Sequence, residues 1–148
     1  MILYGKLLIE ALPLNDMYTT YREHRRLKVF VHKGRKCVRC KREGVLLLVT
    51  KETKGKNPKL HVDLYTEDFV LMTVDHITPK YVCKQAGWSK RAMEAVKNKQ
   101  TMCEPCNNKK GHSTQAIVEI PTPPKRIGFE TIWRLVNNPN VFNREVSA

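Results

Sequence analysis

The stretch Val74-Asp75-His76-Ile77-Thr78-Pro79 places a carboxylate beside an imidazole at the point where an apolar run meets a proline. The side-chain pattern over residues 69–74 predicts a β-strand that delivers Asp75 and His76 at its end. Pro79 stops this strand because proline cannot donate to the ladder. A carboxylate and an imidazole together can bind a metal ion and deprotonate a water molecule. Because neighbouring side chains of a strand point to opposite faces, we expect the backbone to bend at this pair so that both reach one ligand.

Two Cys-x-x-Cys pairs stand on either side of this stretch. The first is Cys37 with Cys40 and the second is Cys103 with Cys106, so the intervening residues 41–102 must hold a whole structural unit. One such pair can lie in a tight turn and bind a metal ion through both thiolates, or it can serve as a redox pair. In a cytosolic chain, two pairs favour a closed zinc site of four thiolates over disulfides.

The composition indicates one domain with an anionic partner. The chain has 148 residues, and its 27 Lys and Arg against 14 Asp and Glu give a net charge of +13. Nucleic acid is the leading partner for such a charge, and a merely solubilising surface is the alternative. There is no run that is apolar and long enough to span a membrane, and the N-terminus lacks the features of a secretory signal. We therefore predict a cytoplasmic protein with no membrane partner.

The first 13 residues of the chain carry no recognisable chemistry. Residues 1–13 are apolar at most positions, which is compatible with either a strand or an early helical turn. A helix is predicted from Asn15 or Asp16 to about Val31. Its arginines would either face phosphate or form an ordinary solvated face.

The middle of the chain contains strand signals followed by a helix signal. The β-prone runs 45–50 and 60–65, joined by a polar loop, predict a hairpin with a basic tip. Cys83 has no partner spacing and is predicted to be a small core residue. Ser89 is positioned to cap a short helix over residues 90–97. The remaining expectations are a packing role for Trp88, a return segment over 98–102, a helical turn over 107–110, a semi-rigid linker over 120–124 and a final helix over 129–136.

Four of these elements together resemble the HNH endonuclease family in content and in order. They are Cys37-x-x-Cys40, Asp75-His76-Ile77-Thr78-Pro79, Asn98-Lys99-Gln100 and Cys103-x-x-Cys106-Asn107-Asn108-Lys109-Lys110. The resemblance implies an α+β fold in one domain over residues 1–148. The core over about 33–112 would be a ββα-metal nuclease fold with a four-cysteine zinc site and the β-hairpin as an insertion. A basic helical extension over about 1–32 would precede the core. A linker and a helix over about 113–148 would follow it.

The family's chemistry needs a cation to neutralise phosphate charge and a base to make the nucleophile. Asp75 and Asn107 offer the oxygen ligands that Mg²⁺ or Mn²⁺ prefers, and the resemblance assigns the catalytic cation to them. A histidine that titrates near neutral pH can take a proton from water, so His76 is the predicted general base. By the same resemblance, Asn98 braces the loop that orients this histidine. A structural Zn²⁺ would be held by Cys37, Cys40, Cys103 and Cys106.

The predicted substrate is double-stranded DNA, cut to leave 5′-phosphate and 3′-hydroxyl ends as in the family. The residues expected to contact it are Arg35, Lys36, Arg39, Lys41, Arg42, Lys109 and Lys110. His112 is not expected to be a ligand. Small HNH proteins that resemble this chain are often phage-encoded, which implies the cytoplasm of a phage-infected bacterial cell. Two alternatives remain open: a zinc-containing nucleic-acid-binding protein without catalysis, and a nuclease specific for branched DNA.

Overall fold

The computed structural model of the chain describes residues 1–111, in which helices and strands are mixed as the α+β prediction requires. A four-stranded antiparallel sheet has the order β1-β2-β3-β4. The N-terminal residues are strands and not a helical turn, and β2 carries a bulge between Leu8 and Glu10. The strands of this sheet are β1 (Ile2–Leu3), β2 (Lys6–Leu12), β3 (Leu46–Glu52) and β4 (Leu60–Tyr65).

The predicted hairpin is confirmed. Strands β3 and β4 pair in continuous antiparallel register from Leu46 opposite Tyr65 to Lys51 opposite Leu60. The residues of β3 from Leu46 to Thr50 are all buried, which explains why this run is almost uniformly apolar. The polar loop over residues 53–59 is exposed along its whole length, and it carries the basic tip.

The prediction that a long helix begins at Asn15 or Asp16 is wrong. A 3₁₀ turn, Leu14–Met17, comes first, and the helix α1 spans only Arg25–Lys33. The backbone N–H of Tyr18 and the hydroxyl of Thr19 both donate to the carbonyl of Asn15. Side chains of this kind compete with the helical ladder, so the chain closes in short turns before α1 begins.

The second sheet is the antiparallel pair β5 (Met72–His76) and β6 (Lys99–Cys103), and β6 continues directly into helix α4 (Glu104–Lys110). Strand β5 begins later than the sequence indicates because Phe69 adopts a left-handed conformation with φ of 63°. The ladder runs without a register shift through His76 opposite Lys99. The expected bend at Asp75 and His76 is therefore wrong; the chain bends after the pair, at residues 77 and 78.

The segment between β5 and β6 is more helical than predicted. Pro79 ends the strand but also precedes a helix, α2 (Lys80–Gln85), which the sequence reading missed. Ser89 caps α3 (Lys90–Met93) as predicted, with its hydroxyl 3.1 Å from the N–H of Ala92, but this helix is shorter than expected. A 3₁₀ turn, Val96–Asn98, leads into β6.

The largest core cluster joins both sheets and α1. Cys83 is fully buried, as predicted, whereas Trp88 is 42% exposed, so its predicted packing role is wrong. Among residues 1–111 there is no helix of the length and apolarity needed to cross a membrane. The predicted linker over 120–124, the helix over 129–136 and His112 lie outside the described residues. The core side chains include Met17, Leu27, Phe30, Leu47, Leu64, Met72 and Met102.

Candidate metal centre and adjoining cavities

The four predicted zinc ligands form one cluster. The sulfur atoms of Cys37, Cys40, Cys103 and Cys106 all lie within 4.8 Å of one another, and those of Cys40 and Cys103 are 3.6 Å apart. Zn–S bonds of about 2.3 Å in a tetrahedron place sulfurs about 3.8 Å apart. The cluster therefore has the dimensions of a closed four-thiolate zinc site.

Backbone contacts build the first half of the cluster. The N–H of Lys41 donates to the carbonyl of Cys37, with Lys41 in a left-handed conformation that closes the turn between the two cysteines. The N–H of Val38 donates to the carbonyl of Thr101, which docks this turn on β6. Strand β6 ends at Cys103, two residues after Thr101. The second cysteine pair therefore begins next to the point at which the turn of the first pair is bonded to β6.

The charge state of the cluster also favours a cation. Contact with the Cys103 thiol lowers the pKa of Cys37 to about 4, whereas burial raises the pKa of Cys106 to about 11. Sulfurs packed this closely cannot all become thiolates unless a positive charge joins them. The guanidinium of Arg42, which is only 8% exposed, contributes one such charge at 3.4 Å from the sulfur of Cys103. The prediction that Arg42 contacts DNA is therefore wrong.

Asp75 is held by two donors on the face of β5 that meets α4. Its Oδ2 accepts a hydrogen bond from Lys110 Nζ at 2.6 Å and another from Gln100 Nε2 at 2.9 Å. Lys110 Nζ also donates to the carbonyl of His76 at 3.0 Å. The Lys110 side chain is 3% exposed, so it belongs to the interface of β5 and α4 and not to the open surface. Its predicted contact with phosphate stays a prediction.

Asn107 is oriented by a hydroxyl that the sequence reading missed. Thr73 has one hydroxyl proton, which it donates to the carbonyl of Met102 at 2.7 Å, so it must accept the bond from Asn107 Nδ2 at 2.8 Å. This assignment leaves Oδ1 of Asn107 as an acceptor for another partner. Thr73 lies two residues before Asp75, on the same strand face, and that spacing is the sequence signal that would have found it.

One cavity brings the three predicted site residues together. A space of about 350 Å³ is lined by Asp75, His76 and Asn107, with Lys110 and Lys80 among its other walls. His76 reaches it from the end of β5, although its ring is on the other side of the strand from the contacts of Asp75. The site residues therefore converge without the bend that adjacent strand positions had indicated.

His76 is held by a carboxylate that carries no sequence signal. Its Nε2 lies 3.3 Å from Oε2 of Glu94, which follows α3. Glu94 is also 3.3 Å from Lys99 Nζ and 3.6 Å from Lys80 Nζ. Burial opposes ionisation of Glu94, but the bonds from Lys99 and His76 outweigh it and the pKa of Glu94 is lowered. Glu94 therefore presents a carboxylate to the imidazole.

Asn98 fastens the bend that follows His76. Its Oδ1 accepts from the N–H of Thr78 at 3.0 Å, and its Nδ2 donates to the carbonyl of Met93 at 2.9 Å. The Asn98 carbonyl accepts from the N–H of Ile77. These hydrogen bonds hold the residues directly after His76, which is what the predicted bracing role of Asn98 requires.

Replacing this residue by alanine, Asn98→Ala, is expected to destabilise the protein by about 1–3 kcal/mol, because it leaves buried backbone groups of Thr78 and Met93 without their partners. Urea unfolding followed by circular dichroism measures the change. The control is Asn108→Ala, at an exposed position of α4, which should stay within about 0.5 kcal/mol of wild type. Equal stability of the two variants would contradict the bracing role.

The basic residues predicted to contact DNA differ in exposure. Arg35 is half-buried between Glu43, 3.1 Å away, and the hydroxyl of Tyr18. Arg39 is half-buried as well. The members that are exposed are Lys36, Lys41 and Lys109.

A second set of basic residues lies beside His76. It joins arginines of α1, for which the sequence left a phosphate contact and a solvated face both open, with Lys80, which the sequence did not single out. A groove of about 680 Å³ separates the start of α1 from β5 and β6, and His76 forms part of its wall. Arg25, Arg26 and Lys80 are all exposed there; Arg26 is paired with Asp63 at 2.7 Å, and Lys80 lies 3.6 Å from Glu94. His76 therefore lies between this groove and the cavity that contains Asp75 and Asn107.

Comparison with protein-family models, with curated proteins and with solved structures found no match for this chain.

Proposed function

We propose that the chain is a metal-dependent HNH-type endonuclease that hydrolyses DNA phosphodiester bonds. The observation that carries the proposal is the convergence of Asp75, His76 and Asn107 on one cavity. Support comes also from the order β5, β6, α4, which matches the ββα arrangement that the resemblance implies, and from the four-cysteine cluster at its base. The net charge of +13 fits a polyanionic substrate.

The donor set in the cavity fits a hard divalent cation. Mg²⁺ and Mn²⁺ bind carboxylate, amide and carbonyl oxygens, which Asp75, Asn107 and His76 offer here. The carbonyl of His76 already accepts a hydrogen bond from the ammonium group of Lys110. Asp75 and Asn107 would hold the cation. When bound, it supplies positive charge to the phosphate oxygens and the leaving group.

The chain's own residues supply the base and its orientation. In the Nε2–H tautomer, His76 donates a hydrogen bond to Glu94, and Nδ1 is then free to take a proton from water. A positioned base of this kind typically contributes about 10²- to 10⁴-fold in rate. Asn98 holds residues 77 and 78, so the backbone directly after His76 is fixed while Glu94 contacts the ring.

We expect Arg25 and Lys80 to contact phosphates of the bound strand. Both are exposed in the groove beside His76, within reach of a strand that enters the cavity from that side. Phosphate contacts of this type fix position and carry no base sequence. Zinc at the cysteine cluster has a structural role, because its four ligands leave no open position for substrate.

The test is cleavage of supercoiled plasmid with Mg²⁺ or Mn²⁺. Wild-type protein is expected to nick or linearise the DNA, and Asp75→Asn is expected to lower the rate by about 10²-fold or more because the amide lacks the ligand charge. Asparagine is preferred to alanine here, since Asp75→Ala would leave the buried ammonium of Lys110 unpaired at a cost of about 3–5 kcal/mol. The control Asp68→Asn, at a carboxylate that bonds Thr66 away from the cavity, should cleave like wild type.

Two results would replace this proposal. If the wild-type protein binds DNA but leaves it intact, the chain is a zinc-containing binding protein without catalysis. If it cuts a four-way junction and spares plain duplex, the substrate is branched DNA and the chemistry is unchanged.

A further inference from the structure

The cavity that would take the divalent cation already contains a cation of the chain itself. Lys110 Nζ lies 2.6 Å from a carboxylate oxygen of Asp75 and 3.0 Å from the carbonyl oxygen of His76. Carboxylate and carbonyl oxygens are ligands that hard cations prefer. Lysine is seldom buried, and its burial here requires the paired carboxylate.

The position of Lys110 on α4 explains how it reaches these oxygens. It lies three residues after Asn107, so the two side chains share one face of the helix and approach Asp75 from the same side. Oδ2 of Asp75 accepts from Gln100 as well, so both donors act on one oxygen. A divalent cation bound to Asp75 and Asn107 would therefore lie close to the ammonium of Lys110.

We propose that Lys110 is the resident cation of this site and competes with the divalent cation for Asp75. The inference rests on the proposed function, because it requires that Asp75 binds the divalent cation. Like charges repel most strongly where water is excluded, so Lys110 lowers the affinity of the free protein for the ion. The phosphate of a bound DNA strand adds negative charge and oxygen ligands, so the divalent cation binds well only together with its substrate.

The experiment measures Mn²⁺ affinity by calorimetry on the zinc-loaded full chain without DNA. Lys110→Met is expected to bind Mn²⁺ at least about tenfold more tightly than wild type, because the competing charge is gone. The matched control is Lys109→Met, which removes the same charge from the exposed neighbouring position on the same helix. It should bind Mn²⁺ like wild type. Unchanged or weaker affinity in Lys110→Met overturns the proposal.

A second variant is needed in case Lys110→Met does not fold, because breaking a buried ion pair can be strongly destabilising. Lys110→Gln keeps a hydrogen-bond donor near Asp75 but removes the positive charge, and it should also bind Mn²⁺ more tightly than wild type. Equal affinity of the glutamine variant and wild type overturns the proposal.

The result for Asp75→Asn separates this inference from the proposed function. If wild type binds Mn²⁺, Asp75→Asn loses that binding and the Lys110 variants bind no more tightly, only the role of Lys110 is wrong. If Asp75→Asn binds Mn²⁺ like wild type, or if no variant binds it, the proposed metal site is wrong and the role of Lys110 is overturned with it.

Discussion

Replacing Cys103 by serine is expected to remove bound zinc and unfold the protein. Cys103 is fully buried at the junction of β6 and α4, and its sulfur touches that of Cys40 and the guanidinium of Arg42. A structural zinc contributes about 10–16 kcal/mol of apparent binding energy that is also folding energy. This is as large as the whole stability of an ordinary domain, about 5–15 kcal/mol. The variant should therefore lose its folded circular dichroism signal and its zinc together.

Cys83 offers a matched control for this prediction. It is also fully buried, but it lies outside the cluster and its thiol contacts the carbonyl of Thr78. Cys83→Ala should retain zinc in the wild-type ratio, measured by elemental analysis, and lose only a fraction of the stability. A folded, zinc-free Cys103→Ser protein would contradict a structural role for the metal.

Replacing His76 by alanine is expected to reduce plasmid cleavage by about 10²- to 10⁴-fold while DNA binding and folding are retained. His76 is half-buried at the end of β5 and lines both the cavity and the groove. The replacement removes only its side chain, so the backbone ladder of β5 and β6 stays intact. Glu94→Gln should reduce cleavage by a smaller factor, because it retains an acceptor for Nε2 but loses the charge. Single-turnover cleavage measures the rates.

The control is a second histidine–glutamate pair in the other sheet. His61 Nε2 lies 3.4 Å from Oε2 of Glu52, a distance close to the 3.3 Å between His76 and Glu94. His61→Ala should cleave at the wild-type rate. Similar losses in His61→Ala and His76→Ala would show that the effect comes from folding and not from the loss of a base.

The sequence predicted those parts of the fold that depend on local pattern. The apolar runs of β3 and β4, the Ser89 cap and the burial of Cys83 follow from propensity, capping and composition, and the structure confirms them. The clustering of the two cysteine pairs was also predictable, because their spacing leaves few other uses for four thiols in one chain.

The partners of individual charges could not be predicted in the same way. Arg42, Glu94 and Lys110 differ little in sequence context from exposed charged residues, yet each meets a group that is far away along the chain. Which ammonium or guanidinium becomes buried depends on how β6 and α4 pack, and a count of basic residues contains no such information. The start of α1 was missed for a related reason, since the turn at Asn15 competes with a helical pattern that continues through it.

Helix α4 has seven residues, fewer than two full turns beyond its caps, and a helix of this length is not stable in water by itself. One end is fastened through Cys106 to the sulfur cluster and the other through Lys110 to Asp75. Helix α4 is therefore stabilised by its tertiary contacts and not by its own hydrogen bonds alone. The amide protons of α4 should report on both ends at once, because opening either attachment exposes the same short ladder to exchange with solvent.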